Sequence, residues 1–531
     1  MMMRATKLQA KLPNMTTTIS AMRMHSRLTD TKRVAVIGAG MVGMQTVNQL
    51  NKIGFACTVF DQNSDVGGVW RENYAEFGLQ VPYELYEFPG FPYTEQEQTD
   101  KFPRGPDVQA YAQRFAEANG VYDNAKFSTK VTGVKSKPAG GWTVLHQRVD
   151  SNHEEQDDFD YCVVATGMYS KPHIPELPGR SRFKGQIMHS SAFTEASMAE
   201  GKKVLVVGGG KSAIDCAVVA GNHALSSTLL FKKAHWPVPH KLLDLVPFKW
   251  GTYSRFGHFM LTPHHDMGSI KAACHTLASP IKYAWWRIVE TMFLFQFGLS
   301  GDRVPTTPIG IDLFAGGQIL NYDYRDALKT GSVADRKGEI ARYTESGVVL
   351  HDGTSLQADL VVFGTGFAKD YSFLDANTTE KLGCEKDGLY LYRSIIPPAV
   401  PTLAFVGAEV STFNNILTQA LQSRWLKNVW GGEVSLPSEA NMQADVQKEQ
   451  EWKRGWMPAT GSRAATLQLH QMQYHDRLCK DMGVSHHRKG LNVLAEAFSP
   501  YTASDYSGLF QEMSARAGMG MVGQQLAVQA K

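Results

Sequence analysis

The chain lacks a long apolar run, a basic cluster and any close pair of cysteines, and each absence removes a class of function. Its most membrane-like stretch, Tyr283 to Leu299, falls short of the ~20 residues that cross a bilayer and contains Arg287 and Glu290. A packed amphipathic helix is expected there, with Arg287, Glu290 and Thr291 on one face and Trp285, Ile288, Val289, Met292 and Phe293 over much of the remainder. Peripheral contact with a membrane surface stays open. Lys and Arg number 54 against 51 Asp and Glu, a net charge of +3, without a basic patch interleaved with aromatics. Nucleic acid therefore has no electrostatic footprint. The six cysteines, Cys57, Cys162, Cys216, Cys274, Cys384 and Cys479, stand far apart with no CxxC. This fits a reducing compartment and excludes both a zinc finger and a redox-active dithiol. The pairs His264–His265 and His486–His487 have no carboxylate or thiol companions at metal-ligand spacing, so surface histidines and no metal are expected.

What is present begins with length and composition. A chain of 531 residues, 43% hydrophobic and 20% charged, exceeds one core and predicts two or three folded units. Residues 1–29 carry five Lys or Arg and no Asp or Glu, the composition of a transit peptide or a disordered leader. The expected location is the cytoplasm or an organellar matrix.

Arg33 to Asp61 reads as strand, glycine turn, helix and strand. Gly38, Gly40 and Gly43 form GxGxxG after the apolar run VAVIG, and Asp61 closes the second strand. That pattern binds a dinucleotide pyrophosphate at a helix N-terminus, while the terminal acid accepts ribose hydroxyls and repels a 2′-phosphate. Gly67, Gly68 and Trp70, in GGVW, match an element that brings backbone up against the pyrophosphate of FAD. A second fingerprint follows at Lys202 to Ala220, with Gly208 and Gly210, Lys211 and Ser212 opening the helix, and Ala213 at the third glycine position. Its second strand ends in Lys232 and Lys233 instead of an acid, so this site is expected to prefer NADPH.

Between the two fingerprints, FKGQIMHSSAF places Phe183, Gly185, His189 and Phe193 in the pattern FxGxxxHxxx(Y/F). This resembles the identifying sequence of the flavin-containing monooxygenases. The Baeyer–Villiger monooxygenases carry a similar motif ending in Trp followed by Pro or Asp, whereas here Phe193 is followed by Thr194. The VVATG stretch with Thr166 and the VVFGTGF stretch with Gly366 resemble the family's strand-to-loop returns, and the likeness runs from about Arg33 to Met482. Departures are Lys232 for the usual Arg, Gln80 for an Asn near the flavin, and a long segment from Lys241 to Gln296.

The resemblance implies an α/β fold of two Rossmann-like dinucleotide-binding domains, the NADPH domain inserted in a discontinuous FAD domain. The expected boundaries are 30–175 and 331–490 for the FAD domain, 176–330 for the insert and 491–531 for a peripheral tail. The proline-containing stretches Lys171 to Gly179 and Arg303 to Gly310 are the expected crossings. It further implies hydride transfer from NADPH to FAD, capture of O₂ as a C4a-hydroperoxide, and transfer of one oxygen to a nucleophilic nitrogen or sulfur of a small molecule. Gln80 is the candidate for orienting that chemistry; Asn414 and Asn415 are candidates for the substrate side, and Trp250 to Phe297 for a pocket wall. The motif from Phe183 to Phe193 is expected to position the two domains, and an oligomer is allowed. Baeyer–Villiger oxygenation of a ketone and an NADPH oxidase releasing H₂O₂ are the alternatives.

Overall fold

Two five-stranded parallel sheets organise the chain. The computed structural model describes residues 31–98, 100–316, 318–320 and 322–509, so the expected leader at 1–29 lies outside the described residues. In the first sheet the strand Arg33–Ile37 is central, flanked by Ala56–Phe60 and Tyr161–Val164, with Ala125–Lys126 and Leu403–Phe405 at the edges. Val34, Ala35, Val36, Val163 and Val164 are fully buried, as continuous apolar runs must be when both faces of a parallel sheet are covered. The helix Met41–Asn51 packs against Asn415–Trp430 on one face, joined by a 3.0 Å hydrogen bond between Thr46 and Ser423. The antiparallel meander Thr129–Ser136, Trp142–Arg148 and Glu154–Phe159 covers the other face through Trp142, Val144 and Phe159.

The second sheet runs in the order Val333–Lys337, Ser226–Phe231, Lys203–Val207, Leu360–Phe363 and Gln186–His189. Two of these strands lie beyond residue 330, so the expected boundary there falls inside the second unit. The physical reason is pairing: Leu360–Phe363 is buried beside Lys203–Val207 and supplies the strand that the second glycine turn packs on. Chain crossing happens where Lys171–Pro172 pairs antiparallel with Phe367–Ala368. The stretch Arg303 to Gly310, expected as a crossing, instead starts a short helix whose Ile309 is buried among the inserted helices.

Those inserted helices, Lys249–Thr252, Arg255–Phe259, Ser269–Leu277 and Ser279–Phe297, correct two expectations. Glu290 does not face solvent: its carboxylate accepts the Ile309 N–H at 2.9 Å, a helix-start donor that would otherwise be orphaned. Ile281, Ile288 and Phe295 face outward instead, Phe295 at 83% exposure. His264 and His265 are not surface groups either. They pack against Trp452, with His470 edge-on to His264, and burial pushes both imidazoles below their ordinary pKa. Beyond 491, where a peripheral tail was expected, Tyr501, Tyr506 and Leu509 are buried in the first core, and the Tyr501 N–H donates to Tyr253. No helix among the described residues is long and apolar enough to cross a membrane.

Candidate functional site

The first glycine turn is shaped by close backbone approach. Gly38 has φ 110°, and a Cβ there would lie 2.6 Å from the Ala165 carbonyl oxygen, so no other residue fits. Gly43 packs its Cα onto the Gly38 carbonyl, which seats the helix Met41–Asn51 against the turn. Gly40 and Gly67 bridge, and the Gly67 N–H donates to Ala39, so the GGVW loop lies along the fingerprint. Asp61 braces the same turn: its carboxylate accepts the N–H groups of Ala39 at 2.7 Å and Asn63 at 2.8 Å. Burial raises its pKa while these hydrogen bonds oppose the rise. Trp70 donates to the Tyr86 hydroxyl at 2.7 Å and stacks on Phe77. Beside the turn, Thr166 Oγ1 is buried without a hydrogen-bond partner, an unmet polar group of the kind a bound ligand satisfies. These residues fit a dinucleotide.

The second turn repeats the construction. A Cβ on Gly208, at φ 143°, would meet the Gly364 carbonyl oxygen at 2.4 Å. Ala213 is accommodated because it faces Gly364, so the glycine missing from the helix is supplied by the neighbouring strand return. Gly210 caps the helix Lys211–His223 with open space where its Cβ would project. The cations expected at the ribose edge are engaged. Lys232 pairs with Glu339 at 2.9 Å in an exposed contact, and Lys233 approaches Asp312 at 3.4 Å. Asp312 is fully buried, which works against its charge, but His235, the Trp236 N–H and Lys233 hold its carboxyl below the ordinary value. Lys211 is bound by Asp215 at 2.5 Å, and Asp215 accepts the Tyr74 hydroxyl at 2.9 Å, which ties the second site to the loop after GGVW. Sequence reasoning missed Asp312 and Tyr74. Only Asp215, four residues beyond Lys211 on one helix face, carried a readable signal.

The motif between the fingerprints sits on the hinge. Phe183 packs on Tyr343 in the core beneath the second sheet, and Gly185 leaves no room for a side chain beside the Asp359 carbonyl. His189 Nδ1 accepts the Ser191 N–H, so its Nε2–H donates to the Gly366 carbonyl at 2.9 Å. Burial lowers its pKa, in keeping with a neutral ring. Phe193 is fully buried beneath the helix Lys211–His223, and its carbonyl accepts the Ala75 N–H at 2.7 Å from the first unit. The motif thus ties the crossing strand Phe367–Ala368 to the second unit through His189 and reaches the first unit through Phe193.

Between the units and the inserted helices lies an apolar cavity of about 310 Å³. Its wall includes Val238 from the second unit, Phe413 and Leu469 from the first, and Phe248, Trp286 and Val289 from the insertion. Gln80 is half-buried between Leu79, in the core of the first unit, and Val81, in the core that contains the cavity wall. Asn414 caps the helix Asn415–Trp430, and its Nδ2 is buried without a partner; Asn415 accepts the Thr412 N–H. Among the described residues no cluster of His, Cys, Asp and Glu could hold a metal ion.

Two glycine-turn units, each built on a five-stranded parallel sheet and pinned at a shared hinge, define an α/β protein of two Rossmann-like domains. The family model "Flavin-binding monooxygenase-like" matches residues 31–266 and 312–493, and the chain belongs to that family. It is 29% identical over 516 residues to a probable flavin-containing monooxygenase 1 of Arabidopsis thaliana, covering 89% of this chain and 96% of that one. It is 28% identical over 471 residues to flavin-containing monooxygenase 3 of Canis lupus familiaris, covering 85% and 83%. Among solved structures it is similar to S-allyl-L-cysteine S-oxygenase from Allium sativum (TM-score 0.58, 22% identity, 86% and 89% covered). It is also similar to polycyclic ketone monooxygenase from Thermothelomyces thermophila (TM-score 0.65, 16% identity, 88% and 91% covered). The protein is a flavoprotein monooxygenase.

Proposed function

We propose that this monooxygenase uses FAD and NADPH to insert one atom of O₂ into a nucleophilic sulfur or nitrogen of a small organic substrate. FAD is assigned to the first turn, with Gly38, Gly40, Gly43, Asp61, Gly67, Gly68, Trp70 and Thr166 around it. NADPH is assigned to the second, with Gly208, Gly210, Lys211, Ser212, Lys232, Lys233 and Gly366. When bound, the two cofactors supply the electrons that activate O₂. The protein's own part is to seat them, to hold the hinge through His189 and Phe193, and to keep water from the reacting centre.

The observation that carries the choice of reaction is the cavity wall. Among the described residues no Lys, Arg, Asp or Glu lines it, and His258, the single ionisable group among them, is pushed down to about 4 by burial and is neutral at pH 7. Baeyer–Villiger oxygenation requires an anionic oxygen donor, which an apolar wall without a cation does not hold. A soft, uncharged nucleophile meets no such penalty. The outward apolar residues Ile281, Ile288 and Phe295 also support peripheral contact of the inserted helices with a lipid surface. The test is anaerobic bleaching of the flavin by NADPH, followed by oxygen with a thioether, a tertiary amine or a ketone. Product mass and peroxide released per NADPH decide. An S-oxide or N-oxide is the expected product; an ester from the ketone, or peroxide alone, rejects the reading.

A further inference from the structure

The chemistry of the cavity goes beyond its lack of charge. Two of its side-chain donors are committed within the protein, the Thr252 hydroxyl to the Phe248 carbonyl and the Trp286 indole N–H to the Met260 carbonyl, while Trp250 and Trp285 add neutral indole N–H groups to the wall. His258 is bonded to Gln473 and to the Thr252 carbonyl. A ligand head group bearing a carboxylate or an ammonium would enter without an oppositely charged partner, and burying an unpaired charge is costly. A volume of about 310 Å³ stands at the small end of drug-sized pockets and far exceeds what a two-carbon or three-carbon substrate fills.

Protonation divides the two heteroatoms. An alkyl amine with a pKa near that of lysine, ~10.4, is neutral in only about one part in 2,500 at pH 7, so an uncharged cavity discounts it by about 2,500-fold. A thioether carries no proton at any ordinary pH and is apolar throughout. On the reading of a heteroatom monooxygenase given above, we infer that the substrate of this cavity is a bulky, uncharged thioether, and that amino-acid thioethers and protonated alkyl amines are excluded by the wall. The step balances. The sulfur lone pair takes one oxygen atom to give the S-oxide, the other leaves as water, and NADPH with one proton supplies the two electrons and the hydrogens.

The mouth is identifiable. Phe498 lines the cavity at 48% exposure and contacts Phe256 across the gap. Its short helix, Val493–Phe498, is clasped by Arg255, which binds Glu496 at 2.5 Å and both carboxylate oxygens of Asp476. Phe498 is therefore assigned to the specificity-determining rim, and Val289, buried in the same lining, to the depth of the pocket.

The experiment compares three probes on the full-length holoenzyme: benzyl phenyl sulfide, S-benzyl-L-cysteine and N,N-dimethylbenzylamine. The sulfide is expected to have a kcat/KM at least 100-fold above S-benzyl-L-cysteine, independent of pH from 6.5 to 8.5. The amine should rise close to tenfold per pH unit below its own pKa. Val289→Trp should lower the ratio of kcat/KM for benzyl phenyl sulfide to that for dimethyl sulfide by 10-fold or more, with the rate of flavin reduction by NADPH reporting that the variant is intact. Phe498→Ala, at a half-exposed position, should relax the size limit without that risk to folding. Preference for the zwitterion, or a Val289→Trp variant whose ratio of activities on the two sulfides is that of the parent, overturns the inference while leaving heteroatom oxygenation standing. Ketone oxygenation with no S-oxide from any probe overturns the reading beneath it.

Discussion

Gly210→Ala separates the fold from the proposed nicotinamide site more cleanly than any other single change. Gly210 has φ −93° and ψ 174°, an extended backbone any residue adopts, and a Cβ there meets nothing within 4 Å. Two small effects oppose each other: alanine restricts the unfolded chain, worth about 0.4–1 kcal/mol, and is a poorer N-cap than glycine by roughly the same amount. The melting temperature is expected to stay within about 2 °C of the parent. If the NADPH pyrophosphate lies against the turn, the added methyl occupies its place, and half-saturation for flavin reduction rises about 10- to 100-fold, or ~1.4–2.7 kcal/mol. Stopped-flow bleaching under anaerobic conditions reads this directly, with the bound flavin spectrum as an internal control. Gly43→Ala is the contrast: its Cβ would lie 1.9 Å from the Gly38 carbonyl oxygen, so that variant should fail to accumulate as a folded flavoprotein. A Gly210→Ala enzyme whose half-saturation is within twofold of the parent would refute the placement of the nicotinamide nucleotide at this turn.

Phe193→Ala empties a fully buried site at the hinge and should cost about 3–5 kcal/mol, seen as a lower melting temperature in calorimetry; an unchanged transition would mean that the motif does not bear the packing assigned to it. Lys232→Ala with Lys233→Ala should raise KM for NADPH and leave that for NADH nearly unchanged, whereas equal effects on both would remove the 2′-phosphate from this edge. His258 is held neutral with a pKa pushed down to about 4 from 6.5, so its contribution is full above pH ~6.5 and is lost as pH falls toward 4. By pH 5 the loss is on the order of 2 kcal/mol, and His258→Gln should flatten the acid limb of a melting-temperature profile by that share. Vesicles of neutral and anionic lipid should carry the enzyme upward in a flotation gradient, and Ile288→Asp with Phe295→Asp should release it; unchanged flotation would exclude the exposed stripe as the contact.

Local rules carried the dinucleotide turns. Gly38 and Gly208 were legible because a backbone pressed against a neighbouring carbonyl at positive φ leaves no other residue type, and VAVIG because both faces of its strand are covered. Ala213, read as a tolerated residue at the third glycine position, fits because Gly364 stands opposite it. The limits of the insert were not legible. Leu360–Phe363 is as apolar as Tyr161–Val164, and hydrophobicity reports that a strand is buried without naming the sheet that buries it. Charges read least well. Lys232 and Lys233 were visible as cations at a strand end, but Glu339 and Asp312 reach them from distant parts of the chain. Glu290 turned inward for one N–H of a helix that begins nineteen residues later.

By itself, then, the order of residues determined that there are two glycine turns, where each lies and which motif stands between them, because those features depend on contacts within a strand, a turn and the following helix. Only the tertiary structure decided what the motif grips, which lysines are paired with acids and which side chains wall the apolar cavity. Those properties arise where segments far apart in the chain exclude water together, and no local pattern encodes which segments will meet.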